Sequence, residues 1–388
     1  MAKRIGLIDN LLDVENFLLR KYHAASAADV MAATGGNTGN VAFVFGTRQI
    51  LKGPMTRIHW ETPAEIVRSQ FDHLVVCCAN QIGAHADLGY WAERLELFGL
   101  PVTLLGLGAQ SENYLMVPKI PKGTKHFLHV VTQLRSMPDK PNIGVRGEFT
   151  QRVLGEVGVQ TVRTGCPSLF IAASRDLGAR ILCRQGVGEL KRVAIAAGNP
   201  WHRASAFLER LLVDIVDRYS GAYILQHDES MLQIAYGETD RISPETVTRF
   251  LDVYGDRFDS ESMLLWYRRN ACAFVDAANW MRHLGQFDAV IGPRYHGVAL
   301  ALQTGVPGCV FTIDSRTKEL CDETAVKSID ADELRGKSAE ELLDLSRWTE
   351  GDAMRFDDRR REKAAAVAEF LAISGLLPSD HLNELAKA

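Results

Sequence analysis

The sequence predicts an α/β fold of two lobes, with the chemistry in the cleft between them. Short apolar runs alternate with amphipathic helical patterns along the chain, which is the pattern of βαβ units and mostly parallel sheets. The chain has 388 residues, whereas a single domain usually has about 100–200 residues. We therefore expect two sheets, each covered by helices.

The candidate elements follow from these runs. The candidate strands are Ile5–Ile8, His73–Cys78, Val102–Leu107, Asn142–Val145, Arg192–Ala197, Ala222–Gln226, Ala271–Asp276, Ala289–Gly292 and Cys309–Ile313. Among the helices, one spans 87–99, where Asp87 can cap the start and Gly99 ends it, and another spans 202–220. Weak periodicity between Ile171 and Lys191 marks the boundary between the lobes. We expect an N-terminal lobe at 1–175, a C-terminal lobe at 190–350 and a helical tail at 351–388.

Composition and charge exclude several classes of protein. A net charge of −4 does not fit a general nucleic-acid binder. The seven cysteines form no Cys-x-x-Cys pair, so a structural zinc site is not expected. No apolar stretch approaches the roughly 20 residues of a membrane span, and Asp9 interrupts the first apolar run, which argues against a signal peptide. We expect a cytoplasmic location and leave open an association with the inner face of the membrane. The basic run Arg359–Lys363 favours a solvated helix face.

A glycine-rich segment, Thr34-Gly35-Gly36-Asn37-Thr38-Gly39-Asn40, precedes an apolar helix. Glycines allow a tight turn and a close approach of the backbone to a ligand. Asn40 is predicted to cap a helix that begins at Val41, where exposed N–H groups suit an anion or a sugar hydroxyl. The segment is neither a Walker A loop nor a G-x-G-x-x-G fingerprint, and a plain turn fits it equally well.

Amide side chains follow two predicted strands. Asn80 and Gln81 come after the strand at 73–78, and Gln110 follows Gly106-Leu107-Gly108. Open α/β sheets bind ligands beyond this edge, and amides suit carbohydrate hydroxyls, although they are also common in turns. Arg146 ends another apolar strand and needs a carboxylate, a backbone carbonyl or a ligand as its partner. We favour a structural pairing, with Glu148 as the candidate partner.

The sharpest motif is Pro293-Arg294-Tyr295-His296-Gly297, which joins the strand at 289–292 to a helix predicted at Val298–Gln303. Arginine binds phosphate or carboxylate through a two-pronged fork, and histidine titrates near neutrality. An ion-paired arginine and a structural histidine are the alternative. Further basic residues follow neighbouring strands at the same edge: His202, Arg203, Arg316 and Lys318.

These segments together resemble the polysaccharide pyruvyl transferase family. The resemblance is carried by Gly35-Gly36-Asn37-Thr38-Gly39-Asn40, Asn80-Gln81, Gly106-Leu107-Gly108, Val145-Arg146-Gly147, Gly165-Cys166-Pro167-Ser168 and Arg294-Tyr295-His296. They occur in the family's order and span roughly residues 34 to 325. Each motif is modest alone, but the ordered set is specific.

The resemblance implies a glycosyltransferase-B-like fold of two Rossmann-like lobes facing a central cleft. It implies a transferase in cell-surface or exopolysaccharide biosynthesis, with phosphoenolpyruvate as donor, a saccharide as acceptor and a cyclic pyruvate ketal as product. The acceptor's carrier, lipid or other, stays open. No metal or other cofactor is implied.

The resemblance assigns roles to Arg294 and His296, to the glycine loop and to one of Arg316 and Lys318. The positions of the other residues after predicted strands make them further candidates. The catalytic candidates are Arg294 and His296, with His296 as general acid and base. The candidates for donor binding are Arg294, Lys318, Arg316, His202 and Arg203, and either Arg316 or Lys318 is the second cation. The candidates for acceptor binding are Gly36, Asn37, Thr38, Asn40, Asn80, Gln81 and Gln110.

Two other functions are compatible with the same scaffold. A nucleotide-sugar-dependent glycosyltransferase would also use basic residues of the second lobe to hold a diphosphate. A non-catalytic saccharide-binding relative would keep the fold without turnover. Since the site and not the fold decides the function, binding of phosphoenolpyruvate or of a nucleoside diphosphate separates these alternatives.

Overall fold

The computed structural model describes residues 3–11, 25–111, 116–198 and 205–387. It contains two six-stranded sheets in which every pair of neighbouring strands is parallel. This confirms the predicted pair of Rossmann-like lobes. Most of the inner strands are buried along their whole length, as expected for parallel sheets covered by helices on both faces.

The first sheet has the order β3-β1-β4-β5-β6-β7, and the second has the order β10-β9-β8-β11-β12-β13. The strands are β1 (Ile5–Ile8), β2 (Leu51–Lys52), β3 (Met55–Ile58), β4 (His73–Cys77), β5 (Val102–Leu107), β6 (Ile143–Val145), β7 (Val162–Arg163), β8 (Val193–Ala196), β9 (Ala222–Ile224), β10 (Ala271–Cys272), β11 (Ala289–Gly292), β12 (Gly308–Thr312), β13 (Ser328–Asp330) and β14 (Leu377–Pro378). The edge strands β3, β7 and β13 are partly exposed and lack the apolar runs from which the other strands were predicted.

Helices cover both sheets. They are α1 (Ala27–Ala33), α2 (Asn40–Ile50), α3 (Ala64–Gln70), α4 (Gly89–Phe98), α5 (Lys122–Gln133), α6 (Glu148–Gly155), α7 (Leu177–Gln185), α8 (Ala206–Arg218), α9 (Glu229–Tyr236), α10 (Pro244–Tyr254), α11 (Ser260–Asn270), α12 (Ala277–Leu284), α13 (Tyr295–Gln303), α14 (Ser315–Thr324), α15 (Ala339–Leu345), α16 (Glu350–Ile373) and α17 (Asp380–Ala386). Among the described residues, none of these helices has the length and apolar character needed to cross a membrane.

Several predicted helix starts differ from the observed ones. The helix predicted at 202–220 is observed at Ala206–Arg218. The helix predicted from Asp87 begins at Gly89, because the Asp87 carboxylate accepts a hydrogen bond from the Gly89 amide in a turn before the helix. Its predicted end at Gly99 is observed, with the left-handed backbone that glycine adopts readily. The helix predicted from Val298 begins three residues earlier, at Tyr295.

The tail returns to the first lobe. β14 pairs antiparallel with β2, and α16 packs against α7. Arg360 of α16 is fully buried and donates to the carbonyls of Leu169, Ala172 and Ser174, and the Lys363 ammonium lies against the buried Glu323 carboxylate. The expectation of a solvated basic face was wrong for these two side chains, because chain carbonyls and a carboxylate satisfy their charges inside the protein.

The carboxyl ends of the two sheets face each other. The Thr38 amide of the first lobe donates to the carbonyl of Gln226 in the second. Glu319 of α14 accepts hydrogen bonds from the amide and hydroxyl of Thr150 in α6. These contacts close the predicted central cleft around the segments that follow the strands, and together with the returning tail they give the glycosyltransferase-B-like arrangement.

Candidate active site

The predicted catalytic motif lies at the point where the strand order of the second sheet reverses. When its six strands are numbered in chain order, they lie side by side in the order 3-2-1-4-5-6. Ligands of such sheets bind outside the carboxyl ends of the two central strands. Those strands are β8 and β11. Arg294 and His296 directly follow β11. His202 and Arg203 follow β8 in sequence and lie outside the described residues.

The turn after β11 depends on one glycine. Gly292 has φ +143°, and a methyl group there would lie 2.3 Å from the Ala196 carbonyl oxygen. The chain then leaves the sheet through Pro293. Arg294 takes the extended backbone that precedes α13, so His296 falls in the first turn of that helix. The sequence therefore presents both side chains at the mouth of the cleft.

His296 is enclosed by residues of the first lobe. Its Nε2 lies 3.6 Å from Cys166 Sγ, and its ring centroid lies 5.7 Å from that of Phe43. A methyl group on Gly39 would lie 3.2 Å from His296 Nδ1, so the glycine loop passes directly beside the ring. Burial, reinforced by the positive charge of Arg146, lowers the pKa of His296 to about 3. The imidazole is therefore neutral at neutral pH and is a weak base in the protein without a ligand.

Arg146 is a functional candidate that the sequence reasoning missed. Its guanidinium is buried and donates to the carbonyls of Gly106 and Cys78 and to Asn80 Oδ1, all of them uncharged oxygens. The expected pairing with Glu148 was wrong, because Glu148 opens α6 on the surface and lies near Arg163 instead. Burial lowers the pKa of Arg146. The signal in the sequence was an arginine at the end of an apolar strand, and its charge now stands beside His296.

Arg294 keeps an unsatisfied donor in the same crevice. Its Nε is buried and has no hydrogen-bond partner among the described residues. Burial lowers the pKa of Arg294 most, and the positive charge of Arg316 lowers it further. The carboxylates of Asp314 and Glu209 raise it. An unpaired guanidinium donor in such a place is costly, and a guanidinium can bind a phosphate or a carboxylate.

The structure distinguishes the two cations that follow β12. Arg316 pairs with Asp314 at 2.6 Å, reaches Gln110 Oε1 across the cleft at 3.3 Å and lies close enough to Arg294 to lower its pKa. Lys318 is exposed and interacts with Asp322, one helical turn further along α14. Arg316, and not Lys318, is thus the cation placed beside Arg294.

The glycine loop joins the lobes. Thr38 Oγ1 donates to the Leu225 carbonyl at 3.1 Å, and Asn37 Oδ1 accepts from the Gly39 amide at 2.8 Å. Asn40 does not cap the helix as predicted. It is the first residue of α2, and its amide donates to the Thr34 carbonyl within the loop. These three polar side chains are engaged in holding the loop, whereas Gly36 is exposed with open space around it.

The three predicted amides line the first-lobe side of the cleft. Asn80 Oδ1 accepts from Arg146, Gln110 Oε1 accepts from Arg316, and Gln81 Oε1 accepts from the Ala79 amide. The amide nitrogens of Asn80 and Gln110 have no partner among the described residues and remain available as donors. No group of three or more His, Cys, Asp or Glu side chains in the described part of the chain is arranged to hold a metal ion.

Glu209 is a buried carboxyl next to Arg294 that no sequence motif indicated. It is 1% exposed and accepts a hydrogen bond from the Tyr223 hydroxyl at 2.5 Å. A methyl group at Gly198 would lie 1.7 Å from Glu209 Oε1, so the glycine makes room for it. Burial raises the pKa of Glu209 from 4.5 to about 7, against the opposing effects of Tyr223 and Arg294.

This pKa predicts a pH-dependent stability. Between pH 4.5 and about 7 the folded protein holds a proton that the unfolded chain has lost. The contribution of Glu209 to the free energy of unfolding is therefore full below pH 4.5 and falls by about 3 kcal/mol as the pH rises to about 7. Glu209→Gln should flatten this part of the stability profile in urea titrations at several pH values. The exposed Glu61→Gln is the matched control, and an equal flattening in both variants would contradict the assignment.

One comparison with known proteins agrees with the motifs. The family model for polysaccharide pyruvyl transferase matches residues 37–315. No curated protein matches the chain. Similar solved structures include a putative UDP-N-acetylglucosamine 2-epimerase from Listeria monocytogenes, with 10% identity, coverage of 96% of this chain and 98% of that one, and a TM-score of 0.46. The S. aureus MnaA–UDP structure has 11% identity and a TM-score of 0.45, and the match covers 97% of this chain and 99% of that one. The glycosyltransferase SnogD from Streptomyces nogalater has 12% identity and a TM-score of 0.36, and the match covers 92% of this chain and 95% of that one.

The family match spans most of the chain, from the glycine loop through the Arg294–His296 motif to the start of α14. It includes every segment that carried the resemblance except the first residues of the glycine loop. The predicted relationship is confirmed, and the chain belongs to the polysaccharide pyruvyl transferase family, which makes it a transferase.

Proposed function

We propose that the protein transfers the pyruvyl group of phosphoenolpyruvate onto two hydroxyls of a saccharide and forms a cyclic ketal. The observation that carries the proposal is a neutral, half-buried His296 in a crevice with three arginines. Arg146 acts on its charge from the first lobe, and Arg294 and Arg316 lie beside each other in the second. This combination suits a small donor with two anionic groups and a proton to be moved.

The charge of the site fits such a donor. Phosphoenolpyruvate carries a phosphate and a carboxylate, and each can accept two hydrogen bonds from one guanidinium. Arg294 offers an unpaired Nε, and Arg316 lies next to it. Positive groups that are fixed in place before the reaction stabilise the negative charge that develops on the departing phosphate.

The reaction balances without an oxidant or reductant. The methylene carbon of the donor gains a proton, and the first acceptor hydroxyl bonds to the neighbouring carbon. The phosphate leaves as the C–O bond to that carbon breaks, and the second hydroxyl closes the ketal. Of the two hydroxyl protons, one ends on the new methyl group and the other leaves with phosphate.

His296 carries the proton in this scheme. With the donor bound, the imidazole, which is neutral at rest, takes up the proton of the acceptor hydroxyl, and that oxygen bonds to the donor only once the methylene carbon has been protonated. An anionic donor bound beside it raises its proton affinity, since a nearby negative charge favours the imidazolium. The imidazolium then protonates the methylene carbon. Positioned acid–base groups of this kind typically contribute about 10²–10⁴-fold in rate.

The acceptor side is formed by the first lobe in this proposal. The amide nitrogens of Asn80 and Gln110 and the open backbone at Gly36 are the groups that remain for sugar hydroxyls. The acceptor is a saccharide of a cell-surface polysaccharide or exopolysaccharide. The scheme needs no metal or other cofactor, because arginines supply the positive charge and His296 moves the proton.

Ligand-dependent thermal unfolding tests the donor. At about 100 times its dissociation constant, phosphoenolpyruvate should add about 2.7 kcal/mol to the free energy of unfolding, which is a readily measured shift in Tm. Uridine diphosphate at the same concentration should give no comparable shift. Stabilisation by uridine diphosphate and none by phosphoenolpyruvate would contradict the proposal and favour a nucleotide-sugar-dependent glycosyltransferase.

A further inference from the structure

A second polar cavity lies at the point where the strand order of the first sheet reverses. β1 stands between β3 and β4, the next long strands in the chain, so the connections after β1 and β4 leave in opposite directions. Ligands of open α/β sheets bind at this point. Asp9 directly follows β1 there and lines a cavity of about 110 Å³ between the lobes.

The cavity contains buried polar atoms that the protein leaves unpaired. The Asp9 side chain is 0% exposed, and its Oδ1 accepts from the Leu11 amide and lies 2.9 Å from Arg57 Nη2. Asp9 Oδ2 has no hydrogen-bond partner among the described residues, and neither has the Nε of Arg57, whose side chain is 17% exposed. Buried polar groups are almost always satisfied, so an unpaired acceptor and an unpaired donor side by side leave hydrogen-bonding capacity that a bound polar molecule can use.

The lining specifies the chemistry of that ligand. Two aspartates, Asp9 and Asp276, are balanced by two arginines, Arg48 and Arg57, so the cavity has no net charge. An anion would meet the carboxylates, and a cation would meet the guanidiniums. A neutral molecule with several hydroxyls can donate to Asp9 Oδ2 and accept from Arg57 Nε at the same time.

The remaining walls are apolar. Val41, Val44 and Phe45 of α2 and Val275 of the second lobe provide them. A sugar ring has hydroxyls at its edge and C–H groups on its faces, which matches this division between polar and apolar walls. One water molecule needs about 10–15 Å³ of cavity volume. The cavity of about 110 Å³ therefore has room for several water-sized groups, such as the hydroxyls and ring atoms of one sugar residue.

The cavity is separate from the catalytic crevice. An α-helix has 3.6 residues per turn, so each residue is rotated by about 100° from the one before it. Val41, Val44 and Arg48 therefore share one face of α2, and Phe43 lies on the opposite face. The Phe43 ring contacts His296. A ligand beside Asp9 is therefore divided from His296 by the helix itself.

We propose that the cavity formed by Asp9, Arg57 and the apolar face of α2 binds an uncharged sugar residue at a site distinct from the reacting centre. The choice of a sugar over another neutral polyol rests on the proposed function, whereas the cavity and its unpaired groups do not. A saccharide held there keeps a long acceptor on the enzyme while another of its residues reacts at His296.

Direct binding measurements test the site without turnover. Methyl glycosides of glucose, galactose, mannose and N-acetylglucosamine, together with lactose and cellobiose, are titrated into the wild-type protein by saturation-transfer NMR and calorimetry. At least one should bind, and Asp9→Asn should weaken it at least tenfold. Asp72→Asn is the matched control, because Asp72 pairs with Arg4 on the surface at the opposite edge of the same sheet.

A second variant guards against misfolding. Phe45→Ala removes one apolar wall without touching the Asp9–Arg57 pair and should also weaken binding, with an unchanged unfolding transition as the check on folding. Absence of binding by the wild type would overturn the proposal. Binding by Asp9→Asn and Phe45→Ala that is as tight as binding by the wild type would also overturn it. Sugar binding that depends on Asp9 in a protein that does not use phosphoenolpyruvate would refute the proposed function and leave this site standing.

Discussion

Replacing Arg294 by alanine is expected to remove the stabilisation that phosphoenolpyruvate gives the wild-type protein. The wild type should gain about 2.7 kcal/mol at about 100 times the dissociation constant, and the variant should gain almost none at the same concentration. The reason is that the unpaired Nε of Arg294 lies in the crevice where the anionic donor is proposed to bind. Thermal unfolding with and without phosphoenolpyruvate measures this directly.

Arg218→Ala is the matched control for that experiment. Arg218 ends α8 in the same lobe, and its guanidinium pairs with Glu340 on the surface. Its loss should leave the ligand-induced shift unchanged. A full shift in the Arg294 variant would place the donor elsewhere, and an equal loss in both variants would point to an effect on the lobe as a whole.

Replacing His296 by glutamine should lower turnover by about 10²–10⁴-fold, because the side chain that moves the proton is lost. Glutamine fills most of the imidazole volume between Cys166 and Phe43, so the cleft should stay closed. Phosphoenolpyruvate should still stabilise the variant, since the arginines are intact. Steady-state kinetics combined with the unfolding assay separates the two effects.

The exposed His129→Gln serves as the comparison on the same protein. Near-normal turnover in the His296 variant, with donor binding intact, would show that another group moves the proton. Loss of both turnover and donor stabilisation would assign His296 to binding and not to catalysis.

The fold could be predicted where local pattern and burial coincide. β5 and β11 were predicted to the residue, because a strand buried on both faces must be a continuous apolar run. The edge strands β3 and β13 have no such run and were missed. The burial of Arg360 and Lys363 in α16 was also missed, because the carbonyls and the carboxylate that satisfy their charges are far away in sequence.

The site could be predicted only in part. The strand–helix junction at Arg294 is visible in the sequence, because glycine and proline mark the turn. The approach of Arg146 to His296 is not, since it depends on how the two lobes meet. The same applies to Arg316, which the lobe contact with Gln110 singles out from Lys318. Glu209 lies inside a helical pattern that gives no sign of its burial beside Arg294.

The release of inorganic phosphate from phosphoenolpyruvate, followed by phosphorus NMR with and without saccharide acceptors, tests the central claim most directly. Phosphate release that requires an acceptor with two neighbouring hydroxyls, together with a ketal methyl signal in the proton spectrum of the product, is the predicted result. Turnover of a nucleotide sugar by the same protein, with phosphoenolpyruvate left intact for every acceptor tried, would contradict it.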